Sequence, residues 1–310
     1  MKTRTQRNIL TPKNINILSQ KQLEDFLYST EKSVYEVFFK SSSEITPPVD
    51  IVGRICLTNE CETNCNYCLL RKDNIKQRFV LSPNQTDELC YKAMDFGVKE
   101  LILETGVLNF SRFKIFLELY ENVFSKYSFQ IYLNLGSQSI LSFPNIINLN
   151  KYLFLDYSPI NEPFRLAINA FNKNNELNDV VHKVEGINFY ANIIIDIPGQ
   201  SFNDIISDII FIVQQPFRGV KISTFMPHKG TTYSIFDQGC LLTTLKVISL
   251  FRLLKPDWDI FIDSTVDELR NKDSMKLCVI NGSNKAILDI TSETDKSKWF
   301  NKVNTLNSIK

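Results

Sequence analysis

The apolar run Asp50-Ile-Val-Gly-Arg-Ile-Cys-Leu57 is followed by Cys61-Glu-Thr-Asn-Cys65-Asn-Tyr67-Cys68. The run is typical of a buried strand, and the cysteines after it have the spacing CxxxCxxC. A cubane [4Fe-4S] cluster is normally held by four thiolates, so a group of three leaves one iron without a protein ligand. The pattern therefore predicts an iron–sulfur centre with Cys61, Cys65 and Cys68 as its metal ligands. The open iron can then take a cofactor or a substrate.

Zinc and disulfide bonds are the alternative explanations for these cysteines. Structural zinc sites usually pair two CxxC halves or add histidines, but His182 and His228 lie more than a hundred residues after Cys68. A disulfide framework is disfavoured because seven cysteines is an odd count, the chain is long, and a secretory signal peptide is not evident. We therefore expect a reducing compartment and a cytoplasmic protein.

Composition narrows the class of protein. The 310 residues are 44% hydrophobic, which suffices for a sizeable core, and 35 basic against 34 acidic residues give a net charge of +1. The charges are scattered, so the sequence does not predict a nucleic-acid partner. Since every apolar run falls short of the roughly twenty residues that span a bilayer, a soluble protein without a membrane partner is expected.

Strand-like and helix-like runs alternate after residue 49. This alternation, with strands apolar on successive residues, predicts parallel strands covered on both faces. The fold class is therefore α/β: a partial parallel TIM-type barrel of six to eight βα units. We expect an N-terminal helical extension over residues 1–48, and a barrel over 49–310 that ends in a short tail after Cys278. The predicted strands are 51–57, 100–104, 130–135, 152–157, 190–197 and 219–225, and the predicted helices are 19–40, 82–96, 110–124, 202–214 and 241–254.

The cysteine motif, with the aromatic Tyr67 before its third cysteine, resembles the radical S-adenosylmethionine superfamily. The resemblance implies that the open iron is chelated by the amino and carboxylate groups of S-adenosylmethionine. Reductive cleavage then gives methionine and a 5'-deoxyadenosyl radical, and an electron donor such as flavodoxin or ferredoxin supplies the electron. The protein's own share of such chemistry is positioning, redox tuning and exclusion of water.

The resemblance also assigns roles to residues at the strand ends, where barrel enzymes build their active sites. The turn Glu104-Thr105-Gly106 is similar to the one that receives the methionine amino group, and Ile197-Pro198 begins a segment similar to one that packs on the adenine. Pro198-Gly199 could also be an ordinary turn. Met226 and His228 stand where substrate would sit, although His228 could equally be a polar rim residue.

Four further segments resemble the hydrogenase-maturase branch, which includes the radical maturase lettered E, methylornithine synthase and, more distantly, biotin synthase. They are 68–78, 198–200, 226–228 and 243–256. The chain departs from that branch at three points. The segment Thr105-Gly106-Val107-Leu108 lacks the acidic pair that the maturase has after its second strand. Tyr157 replaces a glutamate that helps to hold S-adenosylmethionine, for which Asp156 could substitute, and Asn175 and Glu176 stand near the expected arginine, for which Arg165 is the nearest alternative.

The predicted function is radical chemistry on a small amino-acid-like or metal- or sulfur-bound substrate, resembling that of maturase E. The alternatives are a methylornithine-synthase-like mutase, a biotin-synthase-like enzyme, and a degenerate iron–sulfur binding or scaffold protein. The second cluster of biotin synthase is not expected, because Cys56 and Cys90 lie in core patterns and Cys240 and Cys278 are isolated in sequence.

Overall fold

The structure is a computed structural model, and it describes residues 20–170, 174–269, 273–293 and 295–309. Its centre is a closed barrel of eight parallel strands, each paired with the next along the chain and the last paired with the first. The strands are β1 (Asp50–Cys56), β2 (Glu100–Glu104), β3 (Gln130–Asn134), β4 (Tyr152–Asp156), β5 (Asn188–Ile195), β6 (Gly219–Thr224), β7 (Asp259–Asp263) and β8 (Lys285–Asp289).

Helices surround this barrel and precede its first strand. They are α1 (Gln20–Tyr28), α2 (Lys32–Ile45), α3 (Pro83–Asp95), α4 (Phe110–Asn122), α5 (Ser137–Ser142), α6 (Ile146–Leu149), α7 (Glu162–Ala167), α8 (Asn174–Lys183), α9 (Phe202–Gln214), α10 (Leu241–Leu254), α11 (Ser274–Ile280) and α12 (Lys296–Asn307). Short 3₁₀ helices lie at Phe124–Lys126 and Ser264–Glu268. In the described part of the chain, no helix is both long and apolar enough to span a membrane.

Two hydrophobic layers hold the barrel together. The larger lies between the strands and the surrounding helices. The smaller fills the barrel itself with one buried side chain from each of seven strands: Val52, Ile102, Tyr132, Phe154, Tyr190, Phe261 and Ile287. The remaining strand contributes Gly219, where a Cβ atom would lie 2.1 Å from the carbonyl oxygen of Asp259 and 2.9 Å from the Tyr190 ring. Glycine is therefore required there by close packing.

The expected α/β barrel is confirmed, but it is closed rather than partial. Strands β7 and β8 were not predicted, because both are five residues long with charged residues at both ends, which leaves only a short apolar run. The residues after Cys278 were expected to form a short tail, and instead they include β8 and α12.

The expected N-terminal helix is two helices. The break follows Tyr28, where the Ser29 hydroxyl accepts a hydrogen bond from the Glu31 amide at 3.2 Å, a local bond that competes with helix continuation. The predicted first residue, Ser19, lies outside the described residues. The pair of helices packs on α10, where the buried Lys246 donates to the carbonyl oxygens of Leu27 at 2.9 Å and Ser29 at 2.6 Å.

Candidate active site

A cavity of about 250 Å³ opens at the carboxyl ends of the strands, where barrel enzymes place their active sites. All three motif cysteines line it. The other lining residues include Thr63 and Tyr67 from the cysteine loop, Glu104, Thr105, Gly106 and Val107 from the end of β2, and Asn134, Gly136, Ser137, Asp156, Ser158, Asn192, Lys221 and Ser223 from β3 to β6 and the loops that follow them. The loop that follows β1 therefore faces the polar ends of the next five strands.

Arg78 holds the cysteine loop in shape. Its guanidinium donates hydrogen bonds to five backbone carbonyl oxygens on both sides of the cysteines, those of Asn59, Leu70, Arg71, Lys72 and Asn74. A planar guanidinium with several fixed donors suits this arrangement, whereas a lysine ammonium cannot reproduce it. The loop has no regular secondary structure over Cys61–Cys68, so these bonds replace a helix or strand ladder.

The turn after β2 anchors the same loop from the barrel side. A Cβ atom on Gly106 would lie 2.4 Å from the Cβ atom of Cys61, so only glycine allows this approach. The next amide, that of Val107, donates to Cys61 Sγ at 3.2 Å, and the Val107 carbonyl accepts from the Glu62 amide at 3.0 Å. The Glu104-Thr105-Gly106 turn therefore fixes the position of the first cysteine.

The three thiols fit a metal cluster. Burial raises the pKa of Cys65, and burial together with the neighbouring Cys65 raises the pKa of Cys68 to about 12. Such thiols become thiolates at neutral pH only when a bound cation compensates the charge. In the described residues, no three His, Cys, Asp or Glu side chains gather closely enough for a single metal ion. A cubane offers a separate iron to each thiolate and does not need that convergence.

Below the cysteines, each of the eight strands contributes one polar side chain to a ring, called here the lumen ring. Its members are Arg54, Glu104, Asn134, Asp156, Asn192, Lys221, Asp263 and Asp289. Neighbouring members bind one another directly: Asn134 Nδ2 donates to Glu104 Oε1 at 2.8 Å, and Asn192 Nδ2 donates to Asn134 Oδ1 at 2.9 Å. Five members of the ring, Glu104, Asn134, Asp156, Asn192 and Lys221, line the cavity and form its floor.

The charged members of the lumen ring are largely paired. Arg54 binds Asp263, and it lies 3.2 Å from Asp289 and 3.8 Å from Glu104. Glu104 also binds Lys221. Burial by itself would raise the pKa of Glu104, but the Lys221 and Arg54 cations outweigh burial and lower it to about 2. Glu104 is therefore a permanent anion of the floor.

Asp156 and Asn192 retain capacity to bind a ligand. Asp156 accepts from the Ser137 amide at 3.1 Å, the Ser137 hydroxyl at 3.2 Å and Asn192 Nδ2 at 2.8 Å. Among the described residues, no lysine or arginine forms an ion pair with Asp156. Asn192 Oδ1 is buried and has no hydrogen-bond partner in this part of the chain. Both acceptors line the cavity.

Comparisons with known proteins agree with this geometry. No protein-family model matches the chain. The [FeFe] hydrogenase maturase subunit HydE of Thermotoga maritima is 26% identical over 266 residues, which cover 83% of this chain and 76% of that protein. The solved structure of methylornithine synthase (PylB) matches with a TM-score of 0.79 at 18% identity, over 89% of this chain and 85% of PylB.

A second solved structure, the FeFe-hydrogenase maturase HydG from Carboxydothermus hydrogenoformans, has a TM-score of 0.75 at 14% identity and covers 89% of this chain and 69% of HydG. These two structural likenesses show the shared barrel, and the HydE relative adds a likeness in sequence. In sequence and in fold the chain thus resembles the radical S-adenosylmethionine superfamily. Enzymes of that superfamily use a [4Fe-4S] cluster and S-adenosylmethionine as cofactors.

Several residues considered for binding S-adenosylmethionine, the shared cofactor of the superfamily, lie outside the cavity. Tyr157 is buried on the outer side of β4, where its ring packs 5.3 Å from that of Phe217. Arg165 is a buried residue of α7 and donates to the Pro159 carbonyl oxygen at 3.1 Å. Asn175 and Glu176 are exposed on α8. Next to Tyr157, which stands at the position of the superfamily glutamate, Asp156 is thus the carboxylate that faces the cavity.

The other predicted site residues of the superfamily pattern lie around the rim. Ile197 is buried with Ile168 and Phe225, and Tyr67 packs against this small cluster. Pro198 follows Ile197 and is partly buried. Met226 packs against the main core, and the His228 carbonyl oxygen accepts from the Thr231 hydroxyl at 2.8 Å. Neither Met226 nor His228 is among the lining residues of the cavity, and their role in substrate binding stays a prediction.

Sequence reasoning missed five members of the lumen ring: Arg54, Asn134, Asn192, Lys221 and Asp289. Each is the single polar residue within an otherwise apolar stretch of its strand, or the last residue of the strand. Period-two alternation could have identified them, because side chains two residues apart point to the same side of a strand. Asp196, which follows β5, accepts from the Cys240 amide at 2.7 Å at the start of α10.

Proposed function

We propose that this chain is a radical S-adenosylmethionine enzyme in which Cys61, Cys65 and Cys68 hold the cluster and the barrel lumen holds a small amino-acid-like substrate. The substrate could also be a metal- or sulfur-bound amino-acid derivative, as the resemblance to maturase E suggests. The observation that carries the proposal is the cavity that the three cysteines share with five members of the lumen ring. When bound, the two cofactors supply reductive cleavage to methionine and a 5'-deoxyadenosyl radical.

The chain's own residues position the cofactors and exclude water. Arg78 and Gly106 fix the cysteine loop against the barrel. Tyr67 packs on the cluster of Ile168, Ile197 and Phe225, an apolar wall suited to an adenine ring. We assign the cofactor-binding turn to Glu104, Thr105 and Gly106.

Asp156 is proposed to replace the missing superfamily glutamate. It lines the cavity as an acceptor without a cationic partner among the described residues, whereas Tyr157 faces the outer core. A carboxylate at this position can bind the ammonium or ribose hydroxyl groups of S-adenosylmethionine, because both are hydrogen-bond donors.

The lumen ring favours a polar substrate. An apolar ligand would bury Lys221 and Asn192 without replacing their contacts with water, which costs free energy. Lys221 carries three N–H donors, of which the bond to Glu104 uses one. Asn192 Oδ1 needs a donor. A small molecule with both an amino and an acidic group would satisfy these needs, because its acidic group can accept from Lys221 and its amino group can donate to Asn192 Oδ1.

Anaerobic reconstitution with iron and sulfide, followed by S-adenosylmethionine and dithionite, tests the proposal. We expect 5'-deoxyadenosine from the wild-type protein. Cys65→Ala removes a cluster ligand, so the thiolate-to-iron absorbance and the product should both be lost. Cys240→Ala is the matched control, since Cys240 is exposed outside the cavity and its loss should change neither.

Two outcomes would contradict the proposal. An intact cluster without any 5'-deoxyadenosine would favour a degenerate iron–sulfur binding or scaffold protein. Bound zinc without iron would remove the radical chemistry altogether. We also propose a cytoplasmic location and an electron donor such as flavodoxin or ferredoxin, and the free state of all seven cysteines is consistent with a reducing compartment.

A further inference from the structure

Thr63 lies between the first two cysteines of the motif. Its hydroxyl oxygen is 3.1 Å from Cys61 Sγ and 3.7 Å from Cys65 Sγ. The Thr63 carbonyl oxygen accepts from the Lys72 amide at 2.7 Å, which fixes the backbone from which the hydroxyl projects. The hydroxyl is therefore held within reach of two sulfur atoms that would bind iron.

The direction of this hydrogen bond follows from chemistry. A free thiol and a hydroxyl can each donate, but a thiolate bound to iron has no proton left. In a loaded site, the Thr63 hydroxyl can only donate to sulfur. Because Cys61 Sγ is closer than Cys65 Sγ, it is the preferred acceptor.

The Cys61 sulfur is surrounded by donors. The Val107 amide donates to it at 3.2 Å and the Thr63 amide at 3.5 Å. These two donors belong to the backbone, which side-chain substitution leaves in place. In the described part of the chain, Thr63 is the one side chain that forms a hydrogen bond with a sulfur of the motif cysteines.

We propose that Thr63 tunes the cluster, by donating a hydrogen bond to the Cys61 thiolate that raises the reduction potential. Reduction adds one electron to the cluster and breaks no bond, so the reduced form carries more negative charge on its sulfur ligands. A donor to sulfur stabilises that form more than the oxidised one. The proposal rests on the proposed function, since it requires the cluster, and it makes Thr63 a positioning residue rather than a catalytic one.

The test is an anaerobic redox titration of the reconstituted protein, monitored by electron paramagnetic resonance without S-adenosylmethionine. Thr63→Val removes the hydroxyl and keeps the shape of the side chain, so we expect the reduction equilibrium to fall about tenfold, which is about 59 mV for a one-electron couple. Thr63→Ser keeps the hydroxyl and should restore the wild-type potential. Thr58→Val is the matched control, because the Thr58 hydroxyl donates to the Phe79 carbonyl oxygen at 2.7 Å and not to sulfur.

Each possible result either supports or overturns the role proposed for Thr63. An unchanged potential in Thr63→Val, or equal shifts in the valine and serine variants, would overturn the proposal. If Thr63→Val and Thr63→Ala both fail to retain the iron content of the wild type, the residue serves cluster assembly, and tuning is overturned as well. A wild-type protein that binds no cluster would instead refute the proposed function.

Discussion

Glu104 lies between two cations in the barrel floor, and its charge is useful to the fold as well as to the site. It binds Lys221 and lies 3.8 Å from Arg54, while its side chain is 17% exposed. In an unfolded chain neither cation would be held beside it. The carboxylate is therefore more acidic in the folded state than in the unfolded one.

This difference predicts an acid-sensitive stability. The folded pKa of Glu104 is about 2, against an ordinary value of 4.5. The stabilisation is then complete above pH 4.5 and is lost as the pH falls toward 2, at about 3 kcal/mol in total. Glu104→Gln should weaken this acid dependence of the unfolding free energy, measured by urea denaturation across that range.

Glu118→Gln provides the comparison for that experiment, since Glu118 is exposed on α4. It should keep the acid dependence of the wild type. If Glu104→Gln loses stability below pH 4.5 as steeply as the wild type, the ion pairs with Lys221 and Arg54 do not contribute in solution.

Single residues also show how far sequence reasoning reaches. Cys61, Cys65, Cys68, Glu104 and Asp156 line the cavity, as the rule that strand ends carry the site would suggest. To predict which neighbouring residues on the same strands face the cavity, the strand register is needed as well. Tyr157 follows Asp156 directly and faces the outer core, because successive side chains of a strand point to opposite sides.

At the scale of elements, the loop between β1 and α3 depends on a single side chain for much of its order. Arg78 reaches five carbonyl oxygens of this loop. Replacing it leaves those oxygens without their charged donor, and hydrogen bonds to charged groups contribute about 1.5–3 kcal/mol each. The three cysteines would then have to be ordered by the cluster itself.

We therefore predict that Arg78→Ala retains severalfold less iron than the wild type after reconstitution and desalting. Arg78→Lys should recover little of the loss, since an ammonium cannot span the same acceptors. Lys76→Ala, an exposed change in the same loop, should bind iron normally. Equal iron content in all three variants would show that the loop is ordered without Arg78.

Helices and strands differ in how clearly the sequence predicts them. The predicted helix over 202–214 has its observed bounds, and in the structure Ser201 and Asp204 form a capping box at its start. The strand Asp259–Asp263 went unnoticed, since three apolar residues between aspartates carry too little pattern. It is recognised as a strand from the closed barrel, in which it pairs with β6 and β8.

At the scale of the whole molecule, Arg54 joins strands from both ends of the chain. It projects from β1 and binds Asp263 of β7 and Asp289 of β8, while Glu104 of β2 lies within 3.8 Å. The attraction of these carboxylates outweighs the effect of burial and keeps the pKa of Arg54 above its ordinary value. The first and last strands therefore meet around a shared cation.

Arg54→Leu should destabilise the protein by about 3–5 kcal/mol, because it leaves the carboxylates without their partner in a mostly buried place. Chemical denaturation at neutral pH measures the loss. The double variant with Asp263→Asn should recover part of it by removing one of the stranded charges. Additive losses in the double variant would show that the pair is not coupled.

The lumen ring also bears on how related barrels could acquire different chemistry. Each of its eight side chains projects from a different strand. The strands are joined to one another by backbone hydrogen bonds, which do not depend on these side chains. Exchanging one member alters the shape or charge of the chamber and leaves the scaffold around it intact. Substrate selectivity in such a protein can thus change through single substitutions in the lumen ring.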